Sequence, residues 1–205
     1  MKIIVFGATG GVGKWVLEQG LKAGHEITAF VRTPQKVTIT HENLAVVQGD
    51  AFDKEAVSAA ISGHEAVISC LGSSKGMKKT TELREMVKNI AEGMTENHVS
   101  RIIYTASAGV HKELTGVAGK AMMLLLKNPL VDHRAAIAHI TAHNLTYTIA
   151  PPMGLTDKEF TGTYRESKKA VPEKSSTISR ADVAHFILKA LQDPSYENTT
   201  VSLAD

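Results

Sequence analysis

The chain has 205 residues, with Lys+Arg 23 against Asp+Glu 21 for a formal net charge of +2, and is 43% hydrophobic and 21% charged. These values suit one globular domain, exclude general disorder and give no electrostatic case for nucleic acid or a membrane surface as partner. A lone cysteine, Cys70, excludes a disulfide framework and a multi-cysteine metal site, and no apolar run approaches the roughly 20 residues of a membrane span.

Residues Lys2 to Phe6 read as a strand, β-branched and aromatic, stopped by Gly7. This apolar run is too short for a signal-peptide core, so a cytoplasmic location is expected. From Val12 to Lys22 the apolar period becomes helical, and Gly24 sits where a left-handed residue closes a helix cheaply. Strands follow at Glu26 to Val31 and Leu44 to Val47. Asp53 caps a helix through Ile61, and Ala66 to Leu71 is a strand apolar enough to be covered on both faces. Leu83, Met86, Val87, Ile90, Ala91 and Met94 fall at helical intervals, before a strand from Arg101 to Thr105. Two helical stretches, about 117–127 and 131–143, are expected on either side of Pro129. Leu145 to Ala150 is a sixth strand, followed by a Gly- and Thr-rich segment of weak strand character to about Val171. Ser179 caps a helix through Leu191, and Thr199 to Leu203 is the last strand. Strand–helix alternation of this kind predicts right-handed crossovers and a doubly wound parallel sheet, the Rossmann arrangement, in one α/β domain spanning 1–205.

The first turn carries the chemistry. Gly7, Gly10 and Gly13 stand at intervals of three between a strand and a helix. Gly7 permits the tight turn, Gly10 admits a pyrophosphate to the backbone amides, and Gly13 lets the helix approach the sheet. Thr9, Gly11 and Val12 complete the turn, whose amides and helix dipole would hold the phosphates. Gly13-Lys14 mimics a triphosphate-binding loop, but Ala8 and Trp15 break that motif.

The second strand ends in Arg32 and Thr33, where a site preferring NAD usually has an acidic residue. A guanidinium there suits a 2′-phosphate, with Lys36 and Thr33 in support, so NADP(H) is expected over NAD(H). Asp50 reads either as an acceptor for the adenine amino group, with Ala51 against the ring, or as a turn cap. Leu71, Gly72 and Ser73 end the fourth strand beside the expected crevice, and Pro151 and Met153 complete the expected cofactor-binding set.

These residues resemble the atypical short-chain dehydrogenase/reductases that bind NAD(P)H, most closely the biliverdin reductase B/flavin reductase type. The resemblance spans nearly the whole chain: Phe6 to Gly10, Val31-Arg32, Gly49-Asp50, Thr105 to Ala108, Asp132-His133, Pro151 to Gly154, Leu155 with Thr161 to Tyr164, and Ile178 to Phe186. It implies a reductase passing hydride from NADPH to flavins, quinone-like acceptors or linear tetrapyrroles. Ser107 matches the family's serine near the nicotinamide, and His133 a histidine at the substrate pocket. Met153 departs from the histidine that close relatives carry after the paired prolines, a departure that bears on tetrapyrroles.

Read as residues, Ser107 ends the fifth strand at the ligand-binding edge of an open sheet, where it either orients a ligand or merely closes the strand. His133 could donate to an acceptor carbonyl or sit on a helix surface. Tyr164 and Lys168 have a Tyr-x-x-x-Lys spacing but fall well beyond Ser107 and after the sixth strand, so the match reads as coincidence. His133, His139 and His143 lack the glutamate of a zinc-protease motif, and no metal is expected. Lys75, Lys78 and Lys79 form either a solvated loop or a cationic flank. Met122 to Leu126 are either core or the lining of a flat aromatic site. The expectation is an NADPH-dependent reductase, monomeric or weakly dimeric, with a small flavin or quinone-like acceptor bound by about 107–175. A non-catalytic NADP(H)-binding redox sensor is the other reading.

Overall fold

Ile3 and Val5 pack on one face of the first strand and Ile4 and Phe6 on the other, all with no exposed surface. A strand buried on both faces needs helices above and below it, which parallel crossovers supply. The computed structural model describes residues 1–172 and 176–205; residues 173–175 of the expected acceptor segment lie outside the described residues. In chain order the elements are β1 (Lys2–Phe6), α1 (Gly11–Lys22), β2 (Glu26–Val31), β3 (Leu44–Gln48), α2 (Lys54–Ile61), β4 (Ala66–Ser69), α3 (Glu82–Glu96) and β5 (Arg101–Thr105). There follow α4 (Gly116–Leu125), α5 (Lys127–Ala142), β6 (Thr146–Ala150), β7 (Gly154–Thr156), β8 (Arg165–Ser167), β9 (Thr177–Ser179), α6 (Arg180–Gln192), β10 (Thr199–Thr200) and β11 (Ser202–Ala204).

Seven parallel strands form the main sheet in the order β10-β6-β5-β4-β1-β2-β3. The order reverses between β1 and β4, which leaves a crevice at their carboxyl ends. One face is covered by α1 and α6 through Val16, Leu17, Phe186 and Ile187. The other is covered by α2, α3 and α5 through Val57, Ile61, Val87, Ile90 and Ile140. At roughly 1.5–3 kcal/mol per buried large aliphatic side chain, these two layers drive the fold.

Three boundaries depart from expectation. The fourth strand stops at Ser69 rather than Leu71, because the Cys70 carbonyl crosses against Gly7 and the chain leaves the ladder. The helix break falls at Leu126, not Pro129; Pro129 is the third residue of α5, where a missing N–H has no intrahelical acceptor to lose. The last strand is two: β10 pairs with β6 in the main sheet, whereas β11 pairs antiparallel with β8, the change occurring at the buried Val201. The weak strand signal before Val171 resolves into the short β7 and β8.

Two buried carboxylates tie elements together. Thr81, at the N-terminus of α3, makes no side-chain cap. Asp132 of α5 takes that role, accepting from Leu83 N at 3.1 Å and Arg84 N at 3.0 Å. Asp182 of α6 accepts from Ser179 Oγ at 2.7 Å, Thr161 N at 3.1 Å, Thr161 Oγ1 at 3.0 Å and Gly162 N at 2.8 Å. It thereby straps the Thr161-Gly162 segment onto α6. Asp132→Ala leaves the buried Leu83 N–H and the partly buried Arg84 N–H without this partner and should lower stability by about 1–3 kcal/mol, read from urea unfolding. An unchanged midpoint would show that the bonds across to α3 carry no weight.

Candidate functional site

Gly7 has φ +77, and a Cβ built on it would lie 2.5 Å from the Cys70 carbonyl oxygen. One on Gly13 would lie 2.2 Å from the Gly7 oxygen, and one on Gly10 3.2 Å from the same atom. These three positions form a main-chain cradle that a side chain at Gly7 or Gly13 would break and one at Gly10 would crowd. Gly10 N donates to Gly7 O at 2.9 Å, closing the turn, and Gly10 serves as N-cap of α1 without any side-chain acceptor. The amides opening α1 thus face outward with the positive end of the helix dipole, the chemistry that fits a diphosphate.

A groove leads from this cradle over the ends of β2 and β3. Its walls include Thr9, Gly10, Arg32, Asp50, Leu71 and Gly72, with Gly7 and Ala51 also in contact. Sequence positions far apart are thus brought together as expected. Thr33 and Lys36 do not line it: Thr33 precedes the 3-10 turn Pro34–Lys36, and Lys36 is exposed. Asp50 combines both readings, since it lines the groove and its Oδ1 accepts from Phe52 N at 3.1 Å. Gly72 has open space where a Cβ would sit, so packing does not demand glycine there. Ser73 turns away and donates to Glu82 Oε2 at 3.0 Å. Lys75, Lys78 and Lys79 are exposed and line neither hollow.

Beyond the cradle, at the carboxyl ends of β5 and β6, opens a second cavity of about 1150 Å³. Ser107, Pro152, Met153, Leu114, Met122 and Leu126 are among its walls. Ser107 is half-buried; among the described residues its hydroxyl makes only a long 3.4 Å contact, to the Ala108 carbonyl. Pro151 lies behind the wall, buried, with its carbonyl accepting from Leu203 N. Helix α4 divides its apolar residues: Met122 faces the cavity, Met123 packs on the core, and Leu124 and Leu125 are exposed. Arg180, the first residue of α6, bounds this cavity and lies so close over Gly11 that a Cβ there would meet its Cδ and Nε at 2.5 Å. Arg180 therefore stands between the larger cavity and the glycine turn.

His133 does not line either hollow. It is buried on α5, and its Nδ1 shares a 2.7 Å hydrogen bond with the hydroxyl of the fully buried Tyr104. Burial lowers its pKa from the ordinary 6.5 to about 4, which keeps the imidazole neutral. Tyr164 Oη is bonded to His185 Nδ1 at 2.9 Å, while Lys168 reaches the Ser195 carbonyl and the Tyr196 ring. The two do not form a proton-transferring pair. Burial raises the Cys70 thiol to about 12, which keeps it protonated at neutral pH. Among the described residues no group of three or more His, Cys, Asp or Glu could hold a metal ion.

Several wall residues escaped the sequence reading, among them Glu82, Phe30 and Arg180. Glu82 lines the groove and also accepts from Ser74 N at 2.7 Å, pinning the loop after β4. Phe30 fills the space under Gly49, where a Cβ would meet the ring at 2.3 Å. Arg180 had a signal in the sequence: a cation in the first turn of a helix opposes the dipole.

A family model described as NAD(P)H-binding matches residues 7–194. Among curated relatives, protein YwnB of Bacillus subtilis is 27% identical over 222 residues, covering 100% of both chains. The phenylcoumaran benzylic ether reductase TP7 of Nicotiana tabacum is 25% identical, over 98% of this chain and 67% of the relative. The sugar epimerase YhfK of Bacillus subtilis is 29% identical, over 100% and 94%. Solved structures of the same fold include the oxidoreductase ylbE of Lactococcus lactis, with TM-score 0.85, 23% identity and coverage of 100% and 91%. The anaerobilin reductase ChuY of Escherichia coli superposes with TM-score 0.83, 24% identity and coverage of 100% and 97%. A short-chain dehydrogenase/reductase of Veillonella parvula, solved with NADP, gives TM-score 0.81 at 20% identity over 100% and 94%.

The buried imidazole has a consequence for stability. The unfolded chain binds a proton at His133 below about pH 6.5, whereas the folded chain resists it until about pH 4. Stability from this residue is therefore complete above pH 6.5 and lost on acidification, by about 3 kcal/mol at pH 4. His133→Gln should flatten the pH dependence of urea unfolding across that window; an unchanged slope would mean the ring is accessible to protons in the folded state.

Proposed function

The chain belongs to the NAD(P)H-binding family, and on that premise we propose that it is an NADPH-dependent reductase of flat conjugated acceptors, flavin or quinone-like. The observation that carries this reading is the junction of the glycine cradle with a wide, mostly apolar cavity walled by Ser107. Bound along the groove, the dinucleotide supplies hydride. The amides opening α1 hold its diphosphate, Arg32 binds the 2′-phosphate through its planar fork, and Asp50 and Ala51 receive the adenine. Ser107, at the mouth of β5, orients the reacting rings by hydrogen bonding, while Pro152, Met153 and Met122 exclude water from their faces.

Among the described residues no Tyr/Lys pair faces the cavity, and Tyr164 is engaged with His185, so no tyrosine acid is placed there to protonate an alkoxide. That favours acceptors whose second proton comes from solvent, as flavins and quinones allow, over simple ketones. His133, enclosed against Tyr104, braces β5 rather than touching the acceptor. The reductases among the curated relatives agree with this reading. The acceptor cavity draws on residues between 106 and 172, together with Ser176 and Arg180. The protein acts in the cytoplasm as a monomer or weak dimer.

Steady-state oxidation of NADPH with FMN, riboflavin and quinones should give turnover with at least one acceptor. Ser107→Ala should lower kcat/KM by about 10- to 100-fold, and Tyr164→Phe should leave it unchanged. Tight NADP(H) binding without turnover on any acceptor would replace the enzyme by a dinucleotide-binding sensor. Arg32→Glu should weaken NADPH at least tenfold relative to NADH, an effect of about 1.5–3 kcal/mol for a charge-assisted contact. Equal losses for both coenzymes in a binding titration would remove Arg32 from phosphate recognition.

A further inference from the structure

We propose that Arg180 is an exchangeable anion receptor: it pairs with Asp157 in the free protein and with the coenzyme diphosphate once the groove is filled. The proposal rests on the dinucleotide reading above and adds a residue that the glycine motif does not contain. Gly11 supplies the first argument. Gly7 and Gly13 are required by main-chain crossings and Gly10 is crowded by one, but Gly11 meets no main chain; the Arg180 stem occupies the place of its Cβ. The guanidinium is thereby seated beside the outward-facing amides of α1.

Charge gives the second argument. Arg180 opens α6, where the helix dipole disfavours a cation, and it is the one cation among the described residues lining the larger cavity. The other ionisable wall residue, Glu113, is already held by Gly109 N at 2.7 Å and His111 N at 2.8 Å. The only ion pair Arg180 makes among the described residues is with Asp157 Oδ1 at 2.7 Å. Their side chains differ sharply in setting: Arg180 is 26% exposed and Asp157 89%. A carboxylate so fully in water binds weakly and is readily displaced. A diphosphate brings more charge, two oxygens matched to the planar fork, and a site where the α1 amides add their own attraction. Asp157 then acts as a competitor that the coenzyme displaces.

Calorimetric titration with NADPH, NADH and ADP-ribose tests this, the last carrying the diphosphate without nicotinamide. Arg180→Gln should weaken all three at least tenfold and by a common factor, unlike a change at Arg32. Arg180→Lys should fall between the two, since it keeps the charge but not the fork. Asp157→Asn should tighten all three by about two- to fivefold, as removal of a weak surface competitor predicts. Thermal unfolding of each variant reports whether the fold is intact; if Arg180→Gln unfolds, the sign of the Asp157→Asn effect decides. Arg180→Gln binding all three like the wild type would overturn the proposal. So would a variant changed only in its KM for FMN relative to riboflavin, since Arg180 would then read an acceptor phosphate. Weaker binding by Asp157→Asn would also overturn it. Failure of the wild type to bind any dinucleotide at millimolar concentration would instead sink the underlying functional reading.

Discussion

Everything near the crevice depends on three backbone segments crossing within van der Waals distance of one another. The Cys70 carbonyl presses on Gly7, and the Gly7 carbonyl presses in turn on Gly13 while accepting from Gly10 N. Such approach is possible only without Cβ atoms, and it sets α1 low against β1 and β4. The same crossing ends β4 early and sends Leu71 and Gly72 along the groove wall. A steric constraint on main chain thus creates both the outward-facing amides of α1 and the hollow beside them.

Most of the architecture could be read from periodicity. The two-faced burial of Ile3 to Phe6, the helical spacing from Leu83 to Met94 and the caps at Asp53 and Ser179 are local signals, and each appears where expected. Errors arose where tertiary contacts override local ones. Pro129 looked like a helix break because proline usually is one, but first-turn placement removes the penalty. The final strand looked continuous because its apolar pattern is, although it changes partners at Val201.

The site was legible to the extent that it sits at strand ends. Gly7, Gly10, Arg32, Asp50, Leu71 and Ser107 all follow strands of one parallel sheet, so topology alone gathers them at one edge. Side-chain direction was not legible. Ser73 lies in the loop after β4 and His133 midway along α5, yet one turns to Glu82 and the other into the core against Tyr104. Arg180 follows the last short strand before α6, and its seat on Gly11 depends on how α6 packs beside α1. The Thr-Gly-x-Tyr segment, specific as a sequence feature, is held structurally by Asp182 and His185.

Asp132 and His133 are adjacent on α5 yet grip different neighbours, one the opening turn of α3 and the other the end of β5. Two grips of differing direction fix both the rotation and the sliding of α5 along its axis. Because α3 begins with the groove residue Glu82, and the cavity residue Leu126 immediately precedes α5, a single helix registers both hollows. Any slippage of α5 would therefore misalign the groove and the cavity together, making their relative spacing a property of one rigid rod.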